Sequence, residues 1–172
     1  MQIDNIKNYI KKTNQEDFIN IANEIYELTT HLNDTYPGYK EWFYEKQIKG
    51  CLTQNRNIIF IRNKEGKIIA LSCLKKEQEE KKICTLFILD KYRKQGLGSL
   101  LIEESMKFLE TTKPLITLTK DKLPMFKKII TKYNWKLTRI IDGIYNDDIK
   151  EFYFNDQLTT KISKKNPKKL PK

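Results

Sequence analysis

The chain has 172 residues, enough for one ordinary domain and short of two, and at that size roughly 68–70% of the unfolded surface can be buried without disulfides or metals. A hydrophobic content of 39% with 11% aromatics excludes a natively unstructured chain, and no apolar run approaches the ~18 residues of a membrane span. The net charge of +11 is local: the last twelve residues, KISKKNPKKLPK, hold six lysines and no acid, which leaves +5 on residues 1–160. Residues 1–156 are expected to form a single domain and residues 157–172 a basic, disordered tail. Such a tail can hold nucleic acid through phosphate contacts, but a solubilising lysine-rich end is the favoured reading. The start, MQIDNIKNYIKK, interleaves charge with apolar residues and lacks the continuous stretch of a secretory leader. Cys51, Cys73 and Cys84 cannot all pair and show no C-x-x-C spacing, so they read as reduced thiols in a cytoplasmic protein with no metal site and no membrane partner.

In chain order, residues 6–10 read as a short extended stretch, and Thr13-Asn14-Gln15-Glu16 has the form of a capping box. Apolar residues at Phe18, Ile21, Ala22, Ile25 and Leu28 predict one face of a first helix. Pro37-Gly38 breaks the chain, and Trp42, Phe43, Ile48 and Leu52 predict a second helix. Residues 58–61 and 68–74 have strand character and are joined by a turn containing Gly66. A charged loop over residues 75–82 leads to an apolar run at 83–89, the pattern of a strand buried on both faces. Leu101, Ile102, Ser105, Phe108 and Leu109 share one face of a helix ended by Pro114, and residues 115–118 predict another strand. A short helix near Pro124 buries Phe126, Ile129, Ile130 and Tyr133, with Asn134 as a left-handed cap. Strands at 135–141 and 151–154 flank a turn around residues 142–148. The order implies an α+β fold of α/β layers, with helices flanking one mixed, mostly antiparallel sheet.

The chemistry concentrates where a strand turns into a helix, at Arg93-Lys94-Gln95-Gly96-Leu97-Gly98. Glycines let the backbone turn tightly, and the first amides of the following helix lack intrahelical partners. With the helix dipole they form a site suited to a pyrophosphate. A Walker loop is excluded because no G-K-[ST] follows, and a dinucleotide fingerprint because Leu101 stands where its third glycine belongs.

The passage from Leu86 to Leu101, LFILDKYRKQGLGSLL, resembles the acyl-CoA motif of the GNAT N-acetyltransferase superfamily, [RQ]-x-x-G-x-[GA], and is complete at Arg93, Gly96 and Gly98. The element order over residues 6–156 is similar to that family's as well. The resemblance implies acetyl-CoA as cosubstrate, its pyrophosphate held by the amides of Lys94, Gln95, Gly96, Leu97, Gly98 and Ser99 with support from Arg93. It further implies that Phe87 and Ile88 offer main-chain bonds to the pantetheine arm, that this strand splays from the one at 115–118, and that an amide near Ile88 faces the thioester oxygen. A homodimer is an assembly common in the family.

The chain departs from the family at the usual general acid. A tyrosine four residues before a glycine-phenylalanine pair is frequent there; here Asn134-Trp135 replaces the pair and Ile130 occupies the tyrosine position. Tyr133, one turn further along, and Tyr145, between the last strands, are the candidate catalytic residues, although tyrosines at such places commonly pack or cap. Glu77, Glu79 and Glu80 read as a solvated hairpin, His31 as a helix-end or surface residue, and Cys84 as a small apolar side chain. Aromatics between Tyr36 and Tyr44 fit either an acceptor pocket or a core stripe. The implied reaction is direct attack of a small-molecule or protein primary amine on the thioester. Two alternatives are acetylation of aminoacyl-tRNA, as toxins of the superfamily perform, and a CoA-binding module without turnover.

Overall fold

The computed structural model describes residues 1–12, 15–53, 55–142 and 149–156. A seven-stranded sheet runs in the order β1-β2-β3-β4-β5-β7-β6, formed by Gln2–Asn5, Arg56–Arg62, Ile68–Lys76, Lys81–Ile88, Leu115–Thr119, Leu137–Asp142 and Lys150–Phe154 as β1 to β7. Every pairing is antiparallel except β4 with β5. Helices α1 (Lys7–Lys12), α2 (Gln15–Thr29), α3 (Leu32–Thr35), α4 (Tyr39–Glu41) and α5 (Lys49–Leu52) precede β2, with a π-helical segment Trp42–Ile48 between the last two. α6 (Leu97–Leu109) follows β4, and α7 (Leu123–Lys132) follows β5. The mixed, mostly antiparallel sheet flanked by helices is the architecture expected from the pattern of elements.

The sheet carries a core on each face. One joins Ile59, Ile61, Ile69, Ile83, Ile116 and Leu118 to Leu101, Ile102 and Leu109 of α6 and to Phe126 and Ile129 of α7. The other joins Ile58, Phe60, Leu71 and Cys73 to Phe18, Ile21 and Ile25 of α2 and to Tyr39, Phe43 and Ile48. Buried polar contacts fix the layers in register. Ser105 on α6 bonds Ser72 on β3 at 3.0 Å. Glu24 on α2 accepts from Arg62 at 3.2 Å and from the Ile68 amide at 3.2 Å, which clamps the β2–β3 hairpin.

Several local expectations need correction. Residues 6–10 are not extended: β1 ends at Asn5 and α1 begins at Lys7. Asp4 accepts from Asn8 at 2.6 Å and from Tyr9 at 2.7 Å, so a carboxylate four and five residues upstream winds the chain into a helix. The 75–82 loop shrinks to a turn, since Lys75 bridges Glu77 and Glu80 at 3.0 Å and both strands run on to Lys76 and Lys81. α6 stops at Leu109, not at Pro114, because Glu110 adopts a left-handed cap with φ 51° while the Thr111 amide bonds Met106 O at 3.2 Å. Phe108, Ile130 and Tyr133 are only half-buried. Trp135 lies outside β6, yet is buried, its indole N–H donating to Thr112 O at 2.8 Å. Thr13, Asn14 and the turn at 143–148 lie outside the described residues.

The most telling difference is β4. It reads as buried on both faces, but only Ile83 is fully buried and Cys84 to Ile88 are half-buried. The cause is the sheet itself, which opens along this strand.

Candidate active site

The phosphate-binding element is built from the end of β4 outward. Leu89 N bonds Ile69 O at 2.9 Å, and a single 3-10 turn, Asp90–Tyr92, is pinned by Asn63 Nδ2 donating to the Tyr92 hydroxyl at 3.2 Å. Arg93 then runs extended, and its guanidinium folds back, Nε donating to Ile88 O at 3.3 Å and Nη2 pairing with Asp90 at 2.8 Å. Arg93 thereby staples the loop to the strand. Lys94 and Gly96 both take positive φ, 61° and 83°, with Gln95 between them donating to Lys91 O at 3.1 Å. Alternating left-handed residues turn successive N–H groups toward one concavity, which is an anion nest. Gly96 caps α6 without a side chain, and the first bond into the helix runs from Leu100 N to Gly96 O at 3.1 Å. The amides of Leu97, Gly98 and Ser99 are therefore open at the positive end of a 13-residue helix. A Cβ on Gly98 would lie 3.4 Å from Ile88 Cδ1, so the bare backbone there is packed against the strand end.

A slot leads away from this nest. β4 pairs with β5 only at Lys82–Leu115 and Ile83–Ile116, whereas β4 continues five residues further and β5 three. On its other edge β4 stays paired with β3 as far as Ala70–Ile88, and β5 stays paired with β7 as far as Thr119–Glu151. A bulge explains the fork: Cys73 faces Thr85 while Leu74 faces Ile83, which makes Cys84 an extra residue on β4. Bulges bend a strand and increase its twist, here away from β5. The β5-side edge of residues 84–88 thus keeps its main-chain groups open to a ligand. The apolar side chains that read as core line an opening instead. The parts present fit the group implied by the sequence: a nest for a pyrophosphate, then an open strand edge for an amide-bearing arm.

The structure brings together Phe87, Ile88, Arg93, Lys94, Gln95, Gly96, Leu97, Gly98 and Ser99 as one continuous strand end, turn and helix start. It places Tyr133 elsewhere, at the end of α7, where its hydroxyl bonds Glu103 of α6 at 3.1 Å beside Lys132. Ile130 packs against the α6-side core. Tyr145 lies outside the described residues. Of the aromatics between Tyr36 and Tyr44, Tyr39 and Phe43 are core, and burial pushes the Tyr39 phenol well above its usual range while its hydroxyl donates to Thr29 at 3.0 Å. Trp42 and Tyr44 are half-buried. Burial also raises all three thiols, that of Cys51 to about 12, so none is poised as a nucleophile.

Two residues whose sequence readings give them no part in the site stand beside the slot. His31 is exposed, but its ring lies 5.3 Å from that of Phe87, on the α2 face of the slot. Glu151 is 3% exposed and stands on β7 opposite Thr119, beside the open edge of β5. Nothing local in the sequence marks either one. A lone histidine after a helix and a glutamate opening a strand acquire meaning only once the sheet order is known. A polar hollow between Glu79, Glu80, Lys81, Glu110 and Lys113 lies at the opposite, N-terminal end of β4.

Comparison with known proteins agrees with this geometry. The profile of the acetyltransferase (GNAT) family matches residues 17–122. No curated protein matches the chain significantly by sequence. Among solved structures, one assigned to the GNAT acetyltransferases from Desulfovibrio desulfuricans superposes with a TM-score of 0.60 at 9% identity over 89% of this chain and 96% of its own. An aminoglycoside 6'-N-acetyltransferase complexed with coenzyme A gives 0.58 at 11% identity over 90% and 95%. Nourseothricin acetyltransferase gives 0.52 at 11% identity, with this chain spanning 58% of its residues over 64% of that protein's length. Among the described residues, no helix is long and apolar enough to cross a membrane, and no three His, Cys, Asp or Glu side chains gather as metal ligands. With the family profile covering more than half of its length, a nest opening a helix and a sheet forked beside it, the chain belongs to the GNAT acetyltransferase family.

Proposed function

We propose that the protein is an N-acetyltransferase that moves an acetyl group from acetyl-CoA to the nitrogen of a primary amine, on a small molecule or a protein, by direct attack and without an acyl-enzyme. The observation that carries this reading is the continuity of the nest at Lys94–Ser99 with the open edge of β4. The nest's amides and Lys94 would take the pyrophosphate, Arg93 would hold the loop in shape, and the main chain at Phe87 and Ile88 would receive the pantetheine arm. The raised thiols support direct attack, since an acyl-cysteine would need a thiolate.

The incoming amine must give up a proton, because an alkylammonium with a pKa of about 10.4 holds its lone pair protonated near neutrality. The departing thiolate must gain one. For that second transfer the proposed donors are Tyr133, which would have to release Glu103, and Tyr145.

Thermal unfolding with acetyl-CoA, CoA and ATP tests the reading. A ligand at a hundred times its Kd adds about 2.7 kcal/mol, several degrees in Tm for a domain of this size. A shift with acetyl-CoA and CoA but not ATP is expected. No shift at millimolar acetyl-CoA would leave the glycine turn as a turn only. A shift without transfer to any amine would favour a CoA-binding module.

A further inference from the structure

A buried hydroxyl without a partner and a buried carboxylate stand on the same face of the same pair of strands. Thr117 Oγ1 on β5 is buried and makes no hydrogen bond among the described residues. Glu151 on β7 is 97% buried, and its Oε2 accepts from the Tyr153 hydroxyl at 3.3 Å. Strand register puts them side by side. Thr117 pairs with Tyr153 and Thr119 with Glu151, so all four side chains project from one face, while Ile116, Leu118, Phe152 and Phe154 project from the other, toward α6 and α7. Thr117 is also the first residue of β5 beyond the last β4–β5 pair, at the base of the fork.

Two cations stand near this pair. Lys82 of β4 acts on Glu151 without forming an ion pair, and Arg139 of β6 lies over the Tyr153 ring at 4.5 Å, its Nη2 paired with Asp156 and its buried Nε without a partner among the described residues. A buried carboxylate and a buried hydroxyl are ordinarily satisfied within the fold, since each lost partner is costly. A group rich in N–H bonds would satisfy the Thr117 hydroxyl and add a charged donor to the Glu151 carboxylate.

We infer that Glu151 and Thr117 form the seat of the acceptor nitrogen, which takes a cationic primary amine on the α2 face of the fork. The inference rests on the acetyl-transfer reading above. The ammonium donates to the Glu151 carboxylate and to Thr117 Oγ1 and passes one proton to that carboxylate. The freed nitrogen then attacks the thioester carbon: the C–N bond forms, the C–S bond breaks with its electron pair on sulfur, and the nitrogen loses its second proton. Sulfur takes up one proton and one leaves to solvent as Glu151 is restored. Burial raises the Glu151 carboxyl, against the pull of the Tyr153 hydrogen bond and Lys82, which narrows its gap to the amine.

The test uses the full chain, with thermal unfolding in acetyl-CoA and with CoA-thiol release to spermidine, kanamycin and high n-butylamine. Glu151→Gln is expected to keep the acetyl-CoA shift and lose at least a hundredfold in transfer, with the acid limb of the kcat/KM–pH profile removed. Thr117→Val is expected to raise the amine KM about tenfold with little change in kcat. Transfer by Glu151→Gln within threefold of wild type overturns the seat, and so does a wild type that binds acetyl-CoA but acetylates none of the three amines. Failure of the wild type to bind acetyl-CoA overturns the acetyltransferase reading itself. Should Glu151→Gln fail to fold, Glu151→Asp with Thr117→Val carries the test, and full activity in both overturns the seat.

Discussion

His31 rests its imidazole against the ring of Phe87, centroids 5.3 Å apart and planes inclined by 40°. The contact brings the turn after α2 over the last residues of β4, so the only histidine in the chain stands at the slot on the side away from α6. His31→Ala is expected to leave the acetyl-CoA-induced rise in Tm intact and to lower kcat/KM for the amine about tenfold. Steady-state kinetics beside the melting curves would show it, and an unchanged kcat/KM would make the contact mere packing.

The nest should be sensitive in two distinct ways. Gly96 has φ 83°, where an L residue costs about 1–2 kcal/mol, so Gly96→Ala is expected to lower stability by about that amount and to weaken CoA binding through a distorted turn. Gly98→Glu puts bulk and negative charge among the open amides and is expected to abolish CoA binding while the domain still unfolds cooperatively. Calorimetric titration with CoA and urea unfolding read the two effects separately. Unchanged affinity in Gly98→Glu would remove the phosphate site.

Cys84 marks the bulge of β4 but has a raised thiol, its sulfur 3.9 Å from Arg56 Nη1. Cys84→Ala is expected to keep transfer within about threefold. Mass spectrometry of protein quenched with acetyl-CoA should find no acetyl group on any of the three cysteines, and finding one would contradict direct attack.

Asp4 should make part of the stability acid-labile. Burial pushes its carboxyl up, but hydrogen bonds from Tyr9, Asn8 and the Asn5 amide outweigh burial and hold it below the usual value. The folded state therefore binds the proton less well than the unfolded chain, whose aspartates titrate near about 3.9. The stabilisation is complete above that range and is lost as pH falls through the folded value. The difference in urea midpoint between wild type and Asp4→Asn is expected to be largest near neutrality and to vanish in acid. A constant difference would refute the assignment.

Ser72 and Ser105 are both fully buried, and their hydroxyls bond at 3.0 Å across the β3–α6 interface. Ser105 also donates to Leu101 O at 2.6 Å. Ser105→Ala is expected to cost about 1 kcal/mol in urea unfolding, since it strands the Ser72 hydroxyl.

What the sequence disclosed about this fold follows the range of the interactions involved. The nest was legible because glycine spacing, a preceding strand and a following helix are all local, and Gly96 and Gly98 say directly where backbone must be bare. The helix at Phe18–Leu28 and the hairpin around Gly66 were legible for the same reason. The strand at Lys81–Ile88 reads as core, because an apolar run looks alike whether it faces a core or an opening, and only the two-residue pairing with β5 decides between them. Glu151 and His31 were invisible as site residues, because strand order and the β5–β7 register, not sequence distance, bring them to the fork. The first turns of the chain failed on a different ground: a carboxylate at Asp4 overrode the extended preference expected after it.

The extra residue on β4 also sets how this chain tolerates change in length. Removing Cys84 would restore strict alternation while Phe87 and Ile88 kept their present faces opposite Leu71 and Ala70, and the strand could zip further along β5. The result would be a more regular sheet with a closed seam, gaining backbone pairing where the native chain has none. In this protein a single codon separates a sheet optimised for its own cohesion from one that leaves a gap for something else to complete.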